Sequence, residues 1–384
     1  MTRNAKCPFD PPGDLSRIRD VSPLSRMKYP SGHVGWLATG RATVRSVLAD
    51  SRFSARTELM NLPTPGATSA QPPPAEPGDF TGMDDPRHSR YRRLLTGQFT
   101  VRRMRTLTDR IEQITAQQLA EMDRTGPVVD LVQAFARPIP ALMICELLGV
   151  PYDQREIFQH DAELITGSSD PTEELYAAYG RLQEFLRNLV LAKRAEPSDD
   201  ILSGLVTSDL TDEELATIAV VLLGAGLGTT MNMLTMGTLA ILQQPEQFEA
   251  MRENTDQAVE ELLRYLTIVP FLVRVALEDV ELDGHEIKAG ETVTLSLQAA
   301  NRDPAQFTAP DVLDVQRQSS GHVAFGHGVH QCLGQQLARI EMRVALRGLV
   351  DRFPDMRLAV PFEDLRVRAD SLIFDVHELP VILR

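Results

Sequence analysis

The segment Phe325-Gly326-His327-Gly328-Val329-His330-Gln331-Cys332-Leu333-Gly334 decides how the rest of the sequence is interpreted. It places one cysteine, Cys332, at the end of a glycine-containing loop and just before a helix predicted from about Gly334 to Phe353. The positive end of a helix dipole and its unpaired N–H groups lower the pKa of a cysteine in this position. The segment alone leaves two interpretations open: a site that favours the thiolate, or a buried and inert cysteine.

The composition is that of an acidic globular protein. In 384 residues, 53 Asp and Glu outnumber 39 Lys and Arg, so the net charge is −14 at pH 7. Nucleic acid is disfavoured as a partner, because phosphates require a basic face. Three cysteines, Cys7, Cys145 and Cys332, are too few and too far apart for a disulfide framework or a Cys-rich zinc site. We assign Cys145, on an apolar helical face, to the core.

We expect neither a signal peptide nor a membrane span of full length. The longest apolar stretch, Ile218 to Leu227, is interrupted by glycines and covers about half a membrane span. We therefore expect a cytoplasmic protein that binds no membrane, and we expect a monomer.

Helical periodicity dominates the chain and a smaller part is rich in strands. Residues 34–52 predict a short strand and a helix, 61–82 form a Pro-rich loop, and residues 84–207 carry mainly helical patterns. A strand-rich section covers residues 270–300, and an irregular stretch follows it. No series of repeated βαβ units is present. We expect one mainly α domain over residues 1–384 with a smaller β-rich region.

One helix stands out by its length. Thr211 and Glu214 have capping-box spacing, and no proline follows until Pro245, which allows about 32 residues or roughly 48 Å. Its middle, IAVVLLGAGLGTTMNML, has no polar face before Thr229 and predicts a helix through the interior. Three glycines there each cost about 1 kcal/mol relative to alanine. They are Gly224, Gly226 and Gly228. Three explanations are open: close packing of another helix, a strand and turn in place of the predicted helix, or a flat ligand or small gas molecule against the bare backbone.

The segment FGHGVHQCLGQQLARIE resembles, at every motif position, the haem-binding loop of the cytochrome P450 family. Other segments extend the resemblance over most of the chain: DDPRHSRYRR near residue 90, AGLGTT in the long helix, EELLR before the strands and ANRDPAQF after them. Soluble bacterial members that tailor natural products in actinomycetes are the most similar. The resemblance implies the triangular P450 fold, with haem b between the long distal helix and the Cys-loop helix.

The resemblance also implies roles for individual residues. Cys332 matches the iron ligand, and Phe325 matches the aromatic that covers the sulfur side of the haem. Ala225 and Gly226 match the part of the distal helix on which the porphyrin lies. The residues that match donors to the haem propionates are His88, Arg92, Arg274 and His330. Thr229, with Thr230 beside it, matches the residue that helps to deliver protons to dioxygen.

Glu261 and Arg264 match the family's ExxR pair, and Arg317 matches its third member. A guanidinium fork between a carboxylate and loop carbonyls pins a segment that has no regular hydrogen bonds of its own, so we assign this group to support of the haem loop. Two positions depart from the family pattern. Leu313 replaces the usual Phe, and Gly228 replaces the usual Asp or Glu before the threonine, which leaves Thr229, Thr230, water or a substrate hydroxyl to carry protons.

The expected function is a monooxygenase that hydroxylates or epoxidises a hydrophobic small molecule, such as a macrolide or other polyketide, a terpenoid or a steroid. Electrons would come from a ferredoxin and its reductase. The expected substrate walls are the loop 61–82, Leu222 and Leu223, Val269 to Leu272, and Leu372 to Phe374. A basic surface for the ferredoxin would consist of Arg102, Arg103, Arg105, Arg339, Arg343 and Arg347.

Two alternatives remain. A relative that uses nitric oxide or peroxide is suggested by Gly228, although direct use of NADH would need cations near the distal entrance and the loop 61–82 contains no Lys or Arg. A non-catalytic homologue that activates a partner enzyme would typically lack the ligand cysteine, whereas Cys332 is present. Motifs of other enzyme classes, such as GxSxG, HExxH and the P-loop, are absent from the sequence.

Overall fold

The computed structural model describes residues 9–64, 71–167, 172–366 and 375–384. The helices, in chain order, are α1 (Gly13–Val21), α2 (Arg41–Ala49), α3 (Arg87–Thr96), α4 (Val101–Thr125), α5 (Pro138–Leu148), α6 (Arg155–Gly167), α7 (Glu173–Ala195), α8 (Ile201–Leu205), α9 (Asp212–Leu242), α10 (Pro245–Glu253), α11 (Thr255–Leu266), α12 (Leu297–Asn301) and α13 (Gln335–Arg352). The strands are β1 (Leu24–Lys28), β2 (Val34–Ala38), β3 (Phe53–Ser54), β4 (Val128–Asp130), β5 (Phe271–Ala276), β6 (Val280–Leu282), β7 (His285–Ile287), β8 (Thr292–Ser296), β9 (Arg357–Leu358) and β10 (Pro380–Ile382). The mainly α fold with a smaller β-rich region is confirmed.

The main sheet joins distant parts of the chain. Within the described ranges it has the order β1-β2-β8-β5-β3, with β2 parallel to β8 and β5 antiparallel to β8. Arg274 of β5 lies opposite Val293 of β8. The prediction of strands over residues 270–300 is correct up to Ser296 and wrong after it. The Ser296 hydroxyl accepts a hydrogen bond from the Ala299 N–H at 3.2 Å, which caps α12.

The long helix predicted from Thr211 is α9. The Thr211 hydroxyl accepts from the Glu214 N–H at 3.2 Å, and the Glu214 carboxylate accepts from the Thr211 N–H at 2.8 Å, so the capping box is formed. α9 is long and apolar enough to cross a membrane by length and composition, but 56% of its apolar window is buried inside the protein. It packs against α5, α7 and α13. α9 is therefore the core helix of the fold.

Glu261 and Arg264 pin the irregular stretch that follows α12. The Arg264 guanidinium binds both Glu261 oxygens, at 2.7 and 2.8 Å, and donates to the carbonyls of Asn301 and Pro310 at 2.9 and 2.8 Å. Arg317 donates to Glu261 at 3.1 Å. The Glu261 and Arg264 side chains are fully buried, and breaking such a pair costs about 3–5 kcal/mol. The arrangement matches the supporting role expected from the sequence.

The Cys332 loop is fixed by close packing on α2. A Cβ atom at Gly328 would lie 2.2 Å from the Leu48 carbonyl oxygen, and Gly328 has φ +74°. Both facts require glycine at this position. The Cys332 N–H donates to the Phe325 carbonyl at 2.9 Å, which closes the loop on itself. The cysteine is therefore held at the N-terminal end of α13 by backbone geometry.

Candidate active site

The ten residues that the sequence assigns to the cofactor or to chemistry line one cavity of about 480 Å³. They are His88, Arg92, Ala225, Gly226, Thr229, Thr230, Arg274, Phe325, His330 and Cys332. They come from α3, α9, β5 and the Cys332 loop, which are far apart in the sequence. The volume lies in the range of cofactor and ligand pockets. The fold therefore brings the whole predicted set together.

Cys332 is open to this cavity but is enclosed by protein on its other sides. Burial raises the pKa of the Cys332 thiol, and the Gly334 N–H, Arg92 and Arg339 offset only part of that rise. The lowered pKa expected from the helix N-terminus is therefore wrong when only protein groups surround the thiol, because desolvation outweighs the helix dipole. A metal cation at the sulfur would reverse the balance, since a coordinating thiol is deprotonated outright.

A group of buried and half-buried nitrogen donors forms another part of the cavity wall. Arg274 is 6% exposed, and burial lowers its pKa to about 10, so it stays charged at neutral pH. Arg92 donates to the Gln331 carbonyl at 2.5 Å and Arg274 to the Val273 carbonyl at 2.8 Å. In the described part of the chain no carboxylate forms an ion pair with either guanidinium. Buried charges without partners are costly, so this wall favours an anionic ligand.

His88 and His330 complete this group. Their ring centroids lie 4.0 Å apart, and neither ring nitrogen of His88 has a hydrogen-bond partner among the described residues. The nearest carboxylate oxygen, Asp85 Oδ1, is 3.6 Å from His88 Nδ1. Burial, with His88, Arg274 and Arg92 nearby, lowers the pKa of His330 to about 3. Both imidazoles are therefore neutral at pH 7, and each has one N–H that can donate to a ligand in the cavity.

The distal wall is the glycine-containing face of α9. A Cβ atom at Gly226 would meet only Ile144 Cδ1, at 3.7 Å, and one at Gly224 or Gly228 would meet nothing within 4 Å. Close helix packing therefore does not explain these glycines, and the alternative of a strand and turn is excluded by the continuous helix. A flat ligand against the backbone at Ala225 and Gly226 remains the explanation that the cavity supports.

These features fit haem b. Two propionate carboxylates would pair with the buried donors, the ring would lie along Ala225 and Gly226, and the Cys332 sulfur would reach the iron. In the described ranges no cluster of three or more His, Cys, Asp or Glu could hold a metal ion. The one sulfur and the nitrogen donors that line the cavity match a metal held by a macrocycle with carboxylate side chains.

The expected substrate walls are partly right. Phe80 and Thr81 of the Pro-rich loop, Leu222, Val269 and Leu272 line the cavity. Leu223 does not, because it turns into the core with 3% exposure. Val221 and Ile268 line the cavity instead. Leu372 to Phe374 lie outside the described residues, as does part of the loop 61–82.

The expected basic surface is largely neutralised. The pairs are Arg102 and Arg103 with Asp199, Arg339 with Glu260, Arg343 with Asp256, and Arg347 with Asp351. Of the six predicted arginines, Arg105 alone has no ion pair among the described residues. The sequence shows the cations, but it does not show the acidic partners that the fold places beside them.

Two acidic residues near the site were missed. Glu341 of α13 lines the cavity, is 5% exposed, and has no hydrogen bond or ion pair in the described part of the protein; burial raises its pKa to about 8. Glu260 of α11 binds Arg339 and His322 beside the Cys332 loop. Glu341 lies four residues after Leu337 and three after Ala338, on the same helix face, and that apolar spacing was the available signal.

The comparisons with known proteins agree with this geometry. Residues 172–357 match the family model described as Cytochrome P450. The chain is 48% identical to Cytochrome P450 105C1 of a Streptomyces species, over 97% of this chain and 95% of that protein. It is 40% identical to pentalenic acid synthase of Streptomyces avermitilis, over 98% and 95%. It is similar to the crystal structure of CYP105P1 in complex with filipin I, with TM-score 0.92, 40% identity, and coverage of 100% and 98%.

Proposed function

Because the chain belongs to the cytochrome P450 family of haem b monooxygenases, we propose that Cys332 ligates the haem iron and that the enzyme hydroxylates or epoxidises a hydrophobic secondary metabolite. The observation that carries the proposal is the single cavity that has Cys332 on one wall and, on another, two guanidinium groups without a carboxylate partner among the described residues. When bound, haem supplies the activation of dioxygen, and a thiolate ligand favours O–O cleavage. The residues described below bind, orient and supply protons.

Thr229 is the first candidate for proton transfer. Its hydroxyl donates to the Ala225 carbonyl at 2.7 Å, which leaves the oxygen lone pairs as acceptors toward the cavity. Thr230 lines the same wall and is 5% exposed. With glycine at 228, these hydroxyls and ordered water are the groups of this helix turn that are available to hold a proton at the distal wall.

Replacing Thr229 with alanine should raise the hydrogen peroxide released per NADH consumed, because the reaction loses the hydroxyl that positions a proton. Gly228→Asp should change the same ratio while the product stays the same. The first atom of the new side chain has room, since a Cβ at Gly228 meets nothing within 4 Å. The measurement is peroxide, NADH and product in one reconstituted reaction.

Gly228→Ala is the matched control, because it adds a Cβ without an acid and should leave the ratio near that of the wild type. Rapid consumption of nitric oxide with NADH alone, without ferredoxin and without oxygenated product, would establish the nitric-oxide alternative and refute the monooxygenase assignment.

The apolar walls indicate the substrate class. Phe80, Val221, Leu222, Val269 and Leu272 face the cavity, and burial of apolar surface is the main source of affinity that they offer. A relative of similar structure was crystallised with filipin I. We propose a hydrophobic natural product, such as a polyketide or terpenoid. A screen for substrate-induced spectral shifts against natural products tests this, and binding of small polar metabolites alone would contradict it.

Electron delivery is assigned to a ferredoxin that docks beside the Cys332 loop. Burial and the charges of Arg45 and Arg41 lower the pKa of His327, so both arginines act electrostatically on the loop that carries Cys332. Arg45 has no ion pair among the described residues, and α2, which carries both arginines, packs on the loop at Gly328. An unpaired cation here would attract an acidic partner.

Arg45→Glu should slow reduction by ferredoxin about tenfold or more at low ionic strength, because electrostatic steering acts on the association rate. Added salt should reduce the difference from the wild type. The measurement is the rate of haem reduction as a function of ferredoxin and salt concentration.

Arg187→Glu makes the same charge change at an exposed position of α7 and should leave the rate unaltered. Equal rates for wild type and Arg45→Glu at every salt concentration would show that docking does not use this surface.

A further inference from the structure

Three polar residues, two of them charged, link α11, α13 and the segment just before Phe325. Arg339 binds the Glu260 carboxylate through two nitrogens, with Nε to Oε1 at 2.6 Å and Nη2 to Oε2 at 3.1 Å. His322 Nε2 lies 3.1 Å from Glu260 Oε2. The His322 side chain is 3% exposed, and those of Glu260 and Arg339 are between a quarter and a third exposed. We call these three residues the proximal charge group.

Glu260 and Arg339 are the two charges of this group. The Ala324 N–H donates to His322 Nδ1 at 3.2 Å, so Nδ1 carries a lone pair and Nε2 carries the proton. His322 is then a neutral donor to Glu260. Burial alone would raise the pKa of Glu260, but the hydrogen bonds from His322 and Arg339 lower it to about 2. Glu260 is therefore ionised at neutral pH.

The group lies against the aromatic residue of the Cys332 loop. The Arg339 guanidinium carbon is 4.6 Å from the centre of the Phe325 ring, and the His322 ring is 6.2 Å from it. The Phe325 carbonyl accepts the Cys332 N–H at 2.9 Å. The Arg339 charge is close enough to lower the pKa of Cys332. One cation and its counter-ion are thus held against Phe325, within electrostatic range of the Cys332 sulfur.

We propose that Glu260 and Arg339 are positioning residues that set the net charge beside Cys332 and thereby the reduction potential of the haem; this rests on the proposed ligation by Cys332. Reduction adds negative charge at the metal centre. A nearby cation stabilises the reduced state, and a nearby anion destabilises it. The ion pair makes the two effects nearly cancel, and His322 holds the carboxylate in place.

The two charges can be removed separately. Glu260→Gln leaves the Arg339 cation uncompensated and should shift the potential to higher values. Arg339→Gln leaves the Glu260 anion uncompensated and should shift it to lower values. The double variant restores the original net charge and should return close to the wild-type potential. The measurement is a spectroelectrochemical titration of each purified holoprotein at one pH.

A matched ion pair joins the same two helices farther from the loop. Asp256 and Arg343 are 3.2 Å apart, and their side chains are 73% and 41% exposed. Asp256→Asn and Arg343→Gln should leave the potential near the wild-type value. Solvent screening and their distance from the loop make their effects small.

The proposal would be overturned if Glu260→Gln and Arg339→Gln shifted the reduction potential in the same direction. It would also be overturned if their shifts were no larger than those of the control variants. A purely structural role of the two residues predicts either result. If Arg339→Gln loses haem, the sign for Glu260→Gln decides the question by itself. Failure of the proposed ligation by Cys332 is distinguished by a separate measurement: the wild-type protein would then lack the thiolate-type CO spectrum.

Discussion

Replacing Cys332 with serine should abolish the thiolate-type absorption spectrum of the reduced, CO-bound protein. A serine oxygen stays protonated and binds iron weakly, so the ligand that favours O–O cleavage is lost. The effect should be complete for the spectrum and for oxygenase activity. The fold should survive, because the loop is held by the Phe325 carbonyl and by packing at Gly328, neither of which uses the sulfur.

Cys145→Ala is the control for this experiment. Cys145 is fully buried in α5, and burial raises its pKa to about 12, so it is an inert core thiol. Its replacement should lower stability slightly and leave the spectrum unchanged. An intact thiolate-type spectrum in Cys332→Ser would remove the basis for the proposed site.

Glu341→Gln should make the protein more resistant to unfolding at alkaline pH. Burial, with no compensating partner, raises the pKa of Glu341 to about 8, whereas the unfolded chain has the ordinary value near 4.5. Between these values the folded state binds more protons than the unfolded state, so stability falls as pH rises. At about 1.4 kcal/mol per pKa unit, the penalty reaches roughly 3–5 kcal/mol above pH 8.

Thermal unfolding midpoints of wild type and Glu341→Gln at pH 5.5 and 8.5 test this. The unfolding midpoint of Glu341→Gln should rise relative to that of the wild type as pH rises, since glutamine has the same shape and no charge. Exposed Glu363, replaced by Gln, serves as the control and should show no such trend. A constant difference between wild type and Glu341→Gln at both pH values would contradict the buried, partnerless carboxyl.

The sequence predicts the long elements well because their signals are local. The capping box at Thr211 and the uninterrupted apolar pattern define α9 almost to the residue. The short strands β1, β3 and β4 were missed. β4 contains three residues and exists through pairing with β10, more than two hundred positions away. Local propensity carries no information about such partners.

The residues of the site were predictable where a motif fixes each position. Their protonation and pairing were less predictable, because the balance of neighbouring charges decides them. Cys332, Arg274 and Thr229 line the cavity as expected from the family pattern. Two expectations were wrong: a lowered pKa for Cys332 and an uncompensated basic surface of arginines. Burial and acidic partners decide both, and they depend on tertiary packing. Glu260 and Glu341 look like ordinary helix carboxylates in the sequence, and their surroundings alone distinguish them.

Ligation of haem by Cys332 is tested most directly by the absorption spectrum of the purified wild-type protein after reduction and binding of CO. We expect one haem per chain and the spectrum of a thiolate-ligated iron, produced by Cys332 in the cavity beside α9. A haem with the spectrum of a histidine-ligated iron, or a protein that binds no haem when haem is supplied during expression, would contradict it.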